Sequence, residues 1–567
     1  MTDVASLRPL LAVLVSAIAI PVILSLKERP NVREGVTIAV ALSKFAIVAS
    51  MVPGVLSGTR YVFSVGQFAT GIELALRVDP LGLLFGLLAS LLWIVTSFYS
   101  IGYMRGLDEH AQTRYFAAFA ASLASAIGVA FSANLLTLFV FYELLTVSTY
   151  PLVTHDETDV ARAAGRKYLA YTFGGGVAVL GGTVLVFFLT GTGITSGTTT
   201  FTPGGIAALA SADPTLARAA FGLLVAGFGV KAALMPMHSW LPDAMVAPTP
   251  VSGLLHAVAV VKSGVFGIAR VVLDVFGPDV MADLGVDLPL AAVAALTLLT
   301  ASVIALRKDN LKRRLAYSTI SQLSYIVLGL ALLEGPALVG GLLHIPAHAF
   351  MKLTLFFCAG AIHVETHTDD ISDMAGIGRR MPLTMAAFGV AAAGMAGIPL
   401  VAGFVSKWYI IIGALDGGGL VFAGALLVSG VLNIAYFWPI VYQAYFETPE
   451  SHDEKPLIEE VLGGRTAALT DGGDETAPET TADDEEIPRP EHVDHLGKHH
   501  EDHDYHGGPP EGGWERRNWL GGESTWFMLA PILTAATLSL LLGIVPDTAV
   551  FLRIVEAIVN GLPGVVA

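Results

Sequence analysis

The stretch from Ala217 to Pro242 reads ARAAFGLLVAGFGVKAALMPMHSWLP. Its first 20 residues are almost entirely apolar, and about 20 such residues are needed to cross a hydrocarbon core of about 30 Å. A lysine, Lys231, lies inside this run, and the prolines Pro236 and Pro242 follow it. Because proline removes a backbone donor and clashes with the preceding turn, we expect the helix to break there. Broken backbone is tolerated at membrane depth only where protein or a water-filled cavity covers it. The stretch therefore predicts a broken membrane helix within a larger bundle.

Similar apolar runs recur along the 567 residues, of which 54% are hydrophobic and 14% charged. A soluble globular chain carries roughly a quarter charged residues, so this composition excludes that class. The 60 glycines are typical of closely packed membrane helices. The only cysteine, Cys358, lies in an apolar run, so we expect neither a disulfide framework nor a cysteine-based metal site. We predict an all-α polytopic membrane protein of about fourteen spans. The predicted spans are residues 10–26, 36–58, 80–102, 115–132, 134–153, 168–190, 217–236, 250–274, 286–306, 315–333, 337–363, 383–415, 420–446 and 525–546.

The net charge of −16 is concentrated in one segment. Residues 447–511 contain 20 acidic and 4 basic residues, and the rest of the chain contains 28 of each. We interpret residues 447–522 as a solvated, disordered loop, which gives no indication of nucleic-acid binding. The loop also contains seven histidines, so metal binding there is an alternative interpretation, although we expect no metal site and no cofactor.

Basic residues give the orientation in the membrane. The loops after spans 1, 3, 5, 9 and 11 contain fifteen lysines and arginines, whereas the opposite loops contain three. Because basic loops stay in the cytoplasm, this pattern predicts a multi-pass cell-membrane protein with both termini outside and the acidic loop inside. Residues 547–567 are expected to form a short tail with a partial helix.

A second punctuated span contains Gly397 and Pro399, followed by Lys407. Two broken spans five positions apart, each with a lysine, indicate repeated five-helix halves, a pattern that marks ion paths in transporters. We accordingly divide the chain into five parts. They are residues 1–114 (spans 1–3), 115–274 (spans 4–8), 275–446 (spans 9–13), 447–522 (the acidic loop) and 523–567 (the last span and the tail).

Ionisable residues lie inside several spans, where each charge costs about 2.5–3.5 kcal/mol on insertion scales. They are Glu143, Lys231, His256, Lys262, His344, His348, Lys352 and Lys407. Burial and a nearby carboxylate act in opposite senses on the proton affinity of an amine, so a changing Glu143–Lys231 distance could load and unload a proton. Histidine can relay it. Three alternatives remain open: a structural Glu143–Lys231 ion pair, lysines 262 and 407 reaching the interface, and histidines that are merely packed.

Four motifs resemble the antiporter-like subunits shared by respiratory complex I and Mrp-type cation/proton antiporters. They are KAALMPMHSWLPDAMVAPTPVSGLLH (231–256), RKDNLKRRLAYSTISQLSYIVLG (307–329), HAFMKLTLFFCAGAI (348–362) and GIPLVAGFVSKWY (397–409). The resemblance covers about residues 75–446. It implies fourteen core helices, inverted repeats of spans 4–8 and 9–13, and a hydrated axis at mid-membrane.

The resemblance also implies roles for single residues. Glu143 corresponds to the span 5 glutamate and Lys231 to its span 7 partner. Lys262, with His256, corresponds to the connecting lysine of span 8. His344 and His348 correspond to the span 11 histidines, and Lys407 to the exit residue of span 12.

The motifs narrow the subfamily. Few residues follow span 14, whereas the complex I subunits with a lateral helix have a long C-terminal extension. The M-type subunit of complex I usually has glutamate at the position of Lys407. A Mrp D-like or an N-type subunit remains, and the phrases AGFVSKWY and VVKSG favour the former.

We therefore expect a proton-translocating subunit of a multisubunit Na⁺/H⁺ antiporter that works with other subunits in the lipid bilayer and has no catalytic site of its own. One alternative is a subunit of complex I or of a membrane hydrogenase relative, where it would belong to a proton-translocating NADH-quinone oxidoreductase. Another is a haem redox enzyme, which is disfavoured because His344 and His348 share one helix.

Overall fold

The computed structural model describes residues 1–69, 72–191, 196–448, 507–510, 513–517, 522–548 and 550–565. Most of the predicted acidic loop, residues 447–522, therefore lies outside the described residues. Within the described part, the chain folds into a bundle of helices with one small sheet.

Helices occupy each of the fourteen predicted positions. In chain order they are Arg8–Ser25, Pro30–Ala49, Pro80–Gly106, Gln112–Phe131, Leu135–Val153, Asp159–Leu189, Pro214–Lys231, Thr249–Gly253 with Val260–Arg270, Asp287–Leu306, Leu311–Ala331, Gly335–Thr366, Pro382–Ala396 with Ala402–Asp416, Leu420–Phe446 and Trp526–Ile544. Ten helices of the described residues are long and apolar enough to cross a membrane. Spans 7, 8, 10 and 12 fall outside that group because they are broken or polar, so the number of crossings stays a prediction.

Side chains at the helix starts explain several boundaries. Asp79 accepts from the backbone N of Gly82 at 2.8 Å, and Asn134 accepts from that of Thr137 at the same distance. Such caps satisfy backbone donors that have no partner within the helix. The starts of spans 3 and 5 are thus fixed locally.

Both predicted breaks are present. The span 7 helix ends at Lys231, and residues 232–239 are not helical. In span 12 the first helix ends at Ala396, Gly397 follows with φ +90°, and the second helix starts at Ala402. Glycine adopts this left-handed conformation at no steric cost, so it ends the first half-helix.

Span 8 departs from the expected regular helix. Residues Leu254–Val258 and Val271–Phe276 are π-helical, and His256 lies in the first of these turns. A π-turn inserts one residue into the helical register and is frequent at functional sites. The span 8 side chains therefore point in directions that a regular helix would not give them.

A three-stranded sheet was not expected from the sequence. Strand β1 (Thr2–Ala5) pairs in parallel with β2 (Thr59–Ala69), which pairs antiparallel with β3 (Ile72–Val78). It lies where spans 2 and 3 meet the side predicted to be outside. The predicted span 2 ran to residue 58, but its helix ends at Ala49 and a short helix, Val52–Leu56, leads into the sheet.

The end of the acidic segment is held against the bundle. Glu523 accepts from the backbone N atoms of Leu383 and Thr384, each at 2.8 Å, at the start of span 12. Trp514 Nε1 donates to the carbonyl of Ala375 at 2.8 Å, and Arg517 N donates to that of Arg379 at 2.9 Å. These described residues contact the loop after span 11 and the start of span 12, on the side that the charge pattern predicts to be cytoplasmic. A tail helix, Val550–Val559, packs against spans 3 and 11.

Candidate functional site

Lys231 is fully buried at the end of the span 7 helix. Its amine donates to the backbone carbonyl of Tyr142 at 2.5 Å and lies 3.4 Å from the centre of the Tyr142 ring. Both interactions stabilise the ammonium form, the first as a charge-assisted hydrogen bond and the second as a cation–π contact. The broken end of span 7 thus places the Lys231 amine against span 5.

Glu143, the next residue along span 5, is partly buried beside this lysine. Its carboxylate oxygens accept no hydrogen bond from any described residue, although it interacts electrostatically with Lys231. Among the described residues, Glu143 and Lys231 therefore do not form a hydrogen-bonded ion pair. Span 6 makes room for the carboxylate at Gly176, where an added methyl group would overlap it. The carboxylate is left with free acceptor positions, which a transferable proton requires.

Span 8 approaches the break in span 7 very closely. A Cβ at Gly264 would lie 2.7 Å from the backbone C of Lys231 and 2.8 Å from the carbonyl of Phe228. Only glycine allows two backbones to come this near. This contact brings Lys262, two residues away, to the same level of the bundle as the break.

Lys262 connects the two predicted repeats. It is fully buried, and its Nζ lies 2.7 Å from Nδ1 of His348 on span 11. His348 Nε2 has no hydrogen-bond partner among the described residues. The pair contains an amine and an imidazole in direct contact, and either can hold the shared proton.

His344 lies one turn from His348, with ring centres 6.1 Å apart. Its Nε2 lies 2.9 Å from Oε1 of Gln322, and its Nδ1 lies 2.8 Å from Oγ of Ser406. Because an amide oxygen only accepts, Nε2 carries the proton, and Nδ1 accepts from Ser406 when the ring is neutral. The histidine thus links span 11 to spans 10 and 12.

Lys407 follows Ser406 directly and lies beyond the break in span 12. It donates to the carbonyl of Met395, the last but one residue of the first half-helix, and its Nζ lies 4.7 Å from the centre of the Tyr325 ring. The Tyr325 and His344 rings stack at 5.6 Å. Lys262 and Lys407 therefore have partners inside the protein and do not reach an interface within the described structure.

We refer to Glu143, Lys231, Lys262, His348, His344 and Lys407 as the row. The two other predicted residues, Lys352 and His256, lie beside it. Lys352 Nζ donates to the carbonyl of Leu315 at 3.1 Å and to Oγ of Ser318 at 3.0 Å on span 10. His256 is fully buried, has no hydrogen-bond partner among the described residues and contacts Phe356 at 4.8 Å between ring centres. Both interact electrostatically with His348.

Sequence reasoning missed Gln322, Ser406 and Tyr325, which complete the contacts around His344. Gln322 and Tyr325 belong to the stretch STISQLSY on span 10, where polar residues recur at helical spacing. That polar face was the signal available, because a buried face of this kind needs a partner.

A separate charged cluster, at the start of span 3 and the end of span 8, was also missed. Arg270 on span 8 binds Asp79 through two contacts of 2.8 Å and Asp274 through one of 2.6 Å. It adjoins a cavity of about 220 Å³ that the tail helix helps to line. These three charges are paired with one another, so we interpret the cluster as an anchor of spans 3 and 8.

Residues 132–433, more than half of the chain, match the profile of the family described as NADH:quinone oxidoreductase/Mrp antiporter, TM. The chain belongs to this family. The matched region contains every residue of the row from Glu143 to Lys407. The predicted family and the predicted helical, multi-pass membrane fold are confirmed.

Curated relatives come from both branches that the motifs indicated. NADH-quinone oxidoreductase subunit N of Desulforudis audaxviator is 35% identical over 408 residues, which is 70% of this chain and 78% of that protein. The putative antiporter subunit mnhA2 of Staphylococcus haemolyticus is 31% identical over 440 residues, 72% of this chain but 54% of its own length. The chain therefore spans about half of the latter relative.

Among solved structures, a chain of the Mrp complex from Dietzia sp. DQ12-45-1b superposes with a TM-score of 0.76 at 24% identity and covers 98% of both chains. This likeness shows a shared fold over nearly the whole length. Both curated relatives are named as subunits, and the solved chain comes from a complex.

Proposed function

We propose that the chain is the Mrp D-like, proton-translocating subunit of a multisubunit Na⁺/H⁺ antiporter. One observation carries the proton-translocating part of the proposal: buried titratable side chains follow one another from Lys262 through His348 to His344, with Lys407 next in the row. Glu143 and Lys231 stand at the other end of the row. The structural likeness to the Mrp chain, which extends over 98% of both molecules, supports the same assignment.

The row can transfer protons by short hops. The Lys262–His348 contact shares a proton directly, and the two imidazoles of His348 and His344 are one helical turn apart, a gap that a water molecule can bridge. The broken helix of span 12 contributes the backbone carbonyl of Met395 next to the row, and such a carbonyl attracts water. We infer that a change in the charge of Glu143 and Lys231, at one end of the row, drives the movement of protons along it.

The proposal is tested with Glu143→Ala and Lys231→Ala in vesicles that contain the whole assembly. Each variant should abolish cation-driven proton flux at near-normal membrane levels, and the double variant should be no worse than either single, because each alone disables one unit. Wild-type flux in a well-expressed single variant removes that residue from the mechanism.

The alternative is an N-type subunit of complex I or a relative, and the Desulforudis subunit N supports it. Here electron transfer elsewhere would drive the same row. Purification in mild detergent separates the two: small antiporter subunits should co-purify under our proposal, quinone-reducing subunits under the alternative. Flux measured with Na⁺ and with K⁺ then identifies the coupled ion. The haem alternative finds no support at His344, because both of its ring nitrogens have protein partners.

A further inference from the structure

Three side chains meet on the side of the bundle where spans 3 and 5 end. Glu109 and His110 follow the span 3 helix, and His155 follows the span 5 helix. One ligand atom from each residue lies within 4.8 Å of the others. Sequence reasoning did not connect them, because His155 is distant from the other two along the chain.

His155 is the residue that requires an explanation. It is fully buried, and neither of its ring nitrogens has a hydrogen-bond partner in the described residues. Its Nε2 faces Oε2 of Glu109 at 3.7 Å, which is too long for a hydrogen bond. A buried imidazole without a hydrogen-bond partner is costly, so such a group in a native structure points to a missing ligand.

The three ligand atoms surround a common point. His110 Nδ1 also lies 3.7 Å from Glu109 Oε2, and the two imidazole centres are 4.8 Å apart. Around a tetrahedral zinc ion, ligand atoms are separated by about 3.4 Å, as follows from metal–ligand bonds of about 2.0–2.1 Å. The two separations from Glu109 Oε2 therefore exceed the tetrahedral value by about 0.3 Å, and the two imidazoles must also approach each other from a ligand-atom separation of at most 4.8 Å.

Neighbouring groups hold His155 in place. Arg114 donates to the His155 carbonyl at 3.2 Å, and the Tyr115 ring meets the imidazole edge-on at 5.8 Å. His110, by contrast, exposes 52% of its side chain, so an ion could enter from solvent.

The charge around the cluster also favours a cation. Asp156 interacts electrostatically with Glu109 and with His155. Lys312, at the start of span 10, interacts with Glu109 but also with Asp156 and Asp369, so its positive charge is shared among several carboxylates.

We propose that Glu109, His110 and His155 form a binding site for a divalent transition-metal ion, with Zn²⁺ as the best match. Two imidazoles and one carboxylate are a ligand set that zinc accepts, with water in the fourth position. Such an ion would tie the end of span 3 to the end of span 5, the span that carries Glu143. The proposal is independent of the direction and the driving force of transport.

The test uses the purified full-length chain in its assembly and Zn²⁺ as the probe, with a competing chelator. The histidines of residues 452–506 add a background, so variants are compared with wild type. His110→Gln should lose one tightly bound Zn²⁺ per chain. His363→Gln is the matched control, since His363 lies on the same side of the bundle and pairs with Asp369 at 3.0 Å; it should bind as wild type does. Equal binding in all three proteins overturns the proposal.

A second measurement reports the site alone. Cys358 is buried and is the chain's single cysteine, so the His110→Cys variant places one accessible thiol in the cluster. Cd²⁺ should then give a thiolate charge-transfer absorption that the histidines of the loop cannot produce. Adding Glu109→Gln should weaken the Cd²⁺ affinity by about tenfold or more. The same affinity in both variants means that the thiol binds alone and that the cluster is not a site. Glu109 is partly exposed and glutamine has the same shape, so loss of folding does not confuse the result.

Discussion

Nζ of Lys262 lies 2.7 Å from Nδ1 of His348, and this contact joins the first predicted five-helix repeat to the second. Both side chains are fully buried, so the contact is shielded from bulk solvent. A proton arriving on the amine can pass to the ring without any movement of the backbone. The proposed proton path therefore passes from one repeat to the other at this pair.

Lys262→Met should reduce proton flux by at least about tenfold, because the shared proton loses one of its two sites. Lys44→Met is the matched control. Lys44 is also a fully buried lysine, donates to the carbonyl of Leu123 at 2.8 Å and lies 5.1 Å from the centre of the Trp93 ring, away from the row. Flux in vesicles, normalised to membrane level, should fall in the first variant only. Equal flux in the two would assign Lys262 a packing role.

Gly176→Ala should impair transport without unfolding the chain. The added methyl group must displace the Glu143 carboxylate, which can swing away because it is the end of a flexible side chain. Gly174→Ala, on the same helix, meets nothing within 4 Å and should behave as wild type. Flux and thermal stability are measured on both. The explanation fails if the two variants transport equally well, or if Gly176→Ala is simply unstable.

Lys407→Arg should cause a severe loss of proton flux, and Lys407→Glu should cause a partial loss. An arginine keeps its proton under all relevant conditions, whereas a carboxylate can titrate. The carbonyl of Met395 that now accepts from Lys407 would still accept from arginine, so the loss would come from chemistry and not from misfolding. Proton flux driven by a cation gradient distinguishes the two variants. An arginine variant as active as wild type would make Lys407 a fixed charge.

Deletion of residues 451–505 should preserve assembly and ion transport. The acidic composition extends to Glu511, but Gly508 N donates to Oγ1 of Thr368 at 3.1 Å, so the deletion should end before Gly508. The Glu523 cap of span 12 is also retained. Assembly is followed by co-purification and transport by vesicle flux. A well-assembled but inactive deletion would instead assign the acidic segment a role in gating.

The sequence predicted much of this bundle because its signals are local. Apolar runs located most helices within a few residues, although the end of span 2 and the start of span 6 were each nine residues away from the predicted position. Pro236 and Gly397 marked both breaks, since each acts on its own backbone. Isolated charges such as Glu143 and Lys262 stood out against an apolar background, so the titratable residues could be identified one by one.

The remaining features depend on contacts between distant parts of the chain. The role of Gln322 depends on its contact with His344, and that of Arg270 on its contact with Asp79. In both pairs the partner is distant along the chain, so neither role could be predicted from the local sequence. The π-turn at His256 changes the register of span 8, and no residue type in the sequence predicts such a turn. The sheet arises from the pairing of residues 2–5 with residues 59–62, which periodicity within either segment does not specify.

The backbone contact at Gly264 has a mechanical consequence. It packs span 8 directly against the end of span 7, and such close packing favours a constant spacing between the main chains at Lys231 and Lys262. Switching between proton-loaded and proton-empty states must then come from rotation of the long lysine side chains and from wetting and drying of the gap between them. The helices would then stay fixed while the lysine side chains and water molecules move. A cross-link between spans 7 and 8 would leave the rate of transport unchanged.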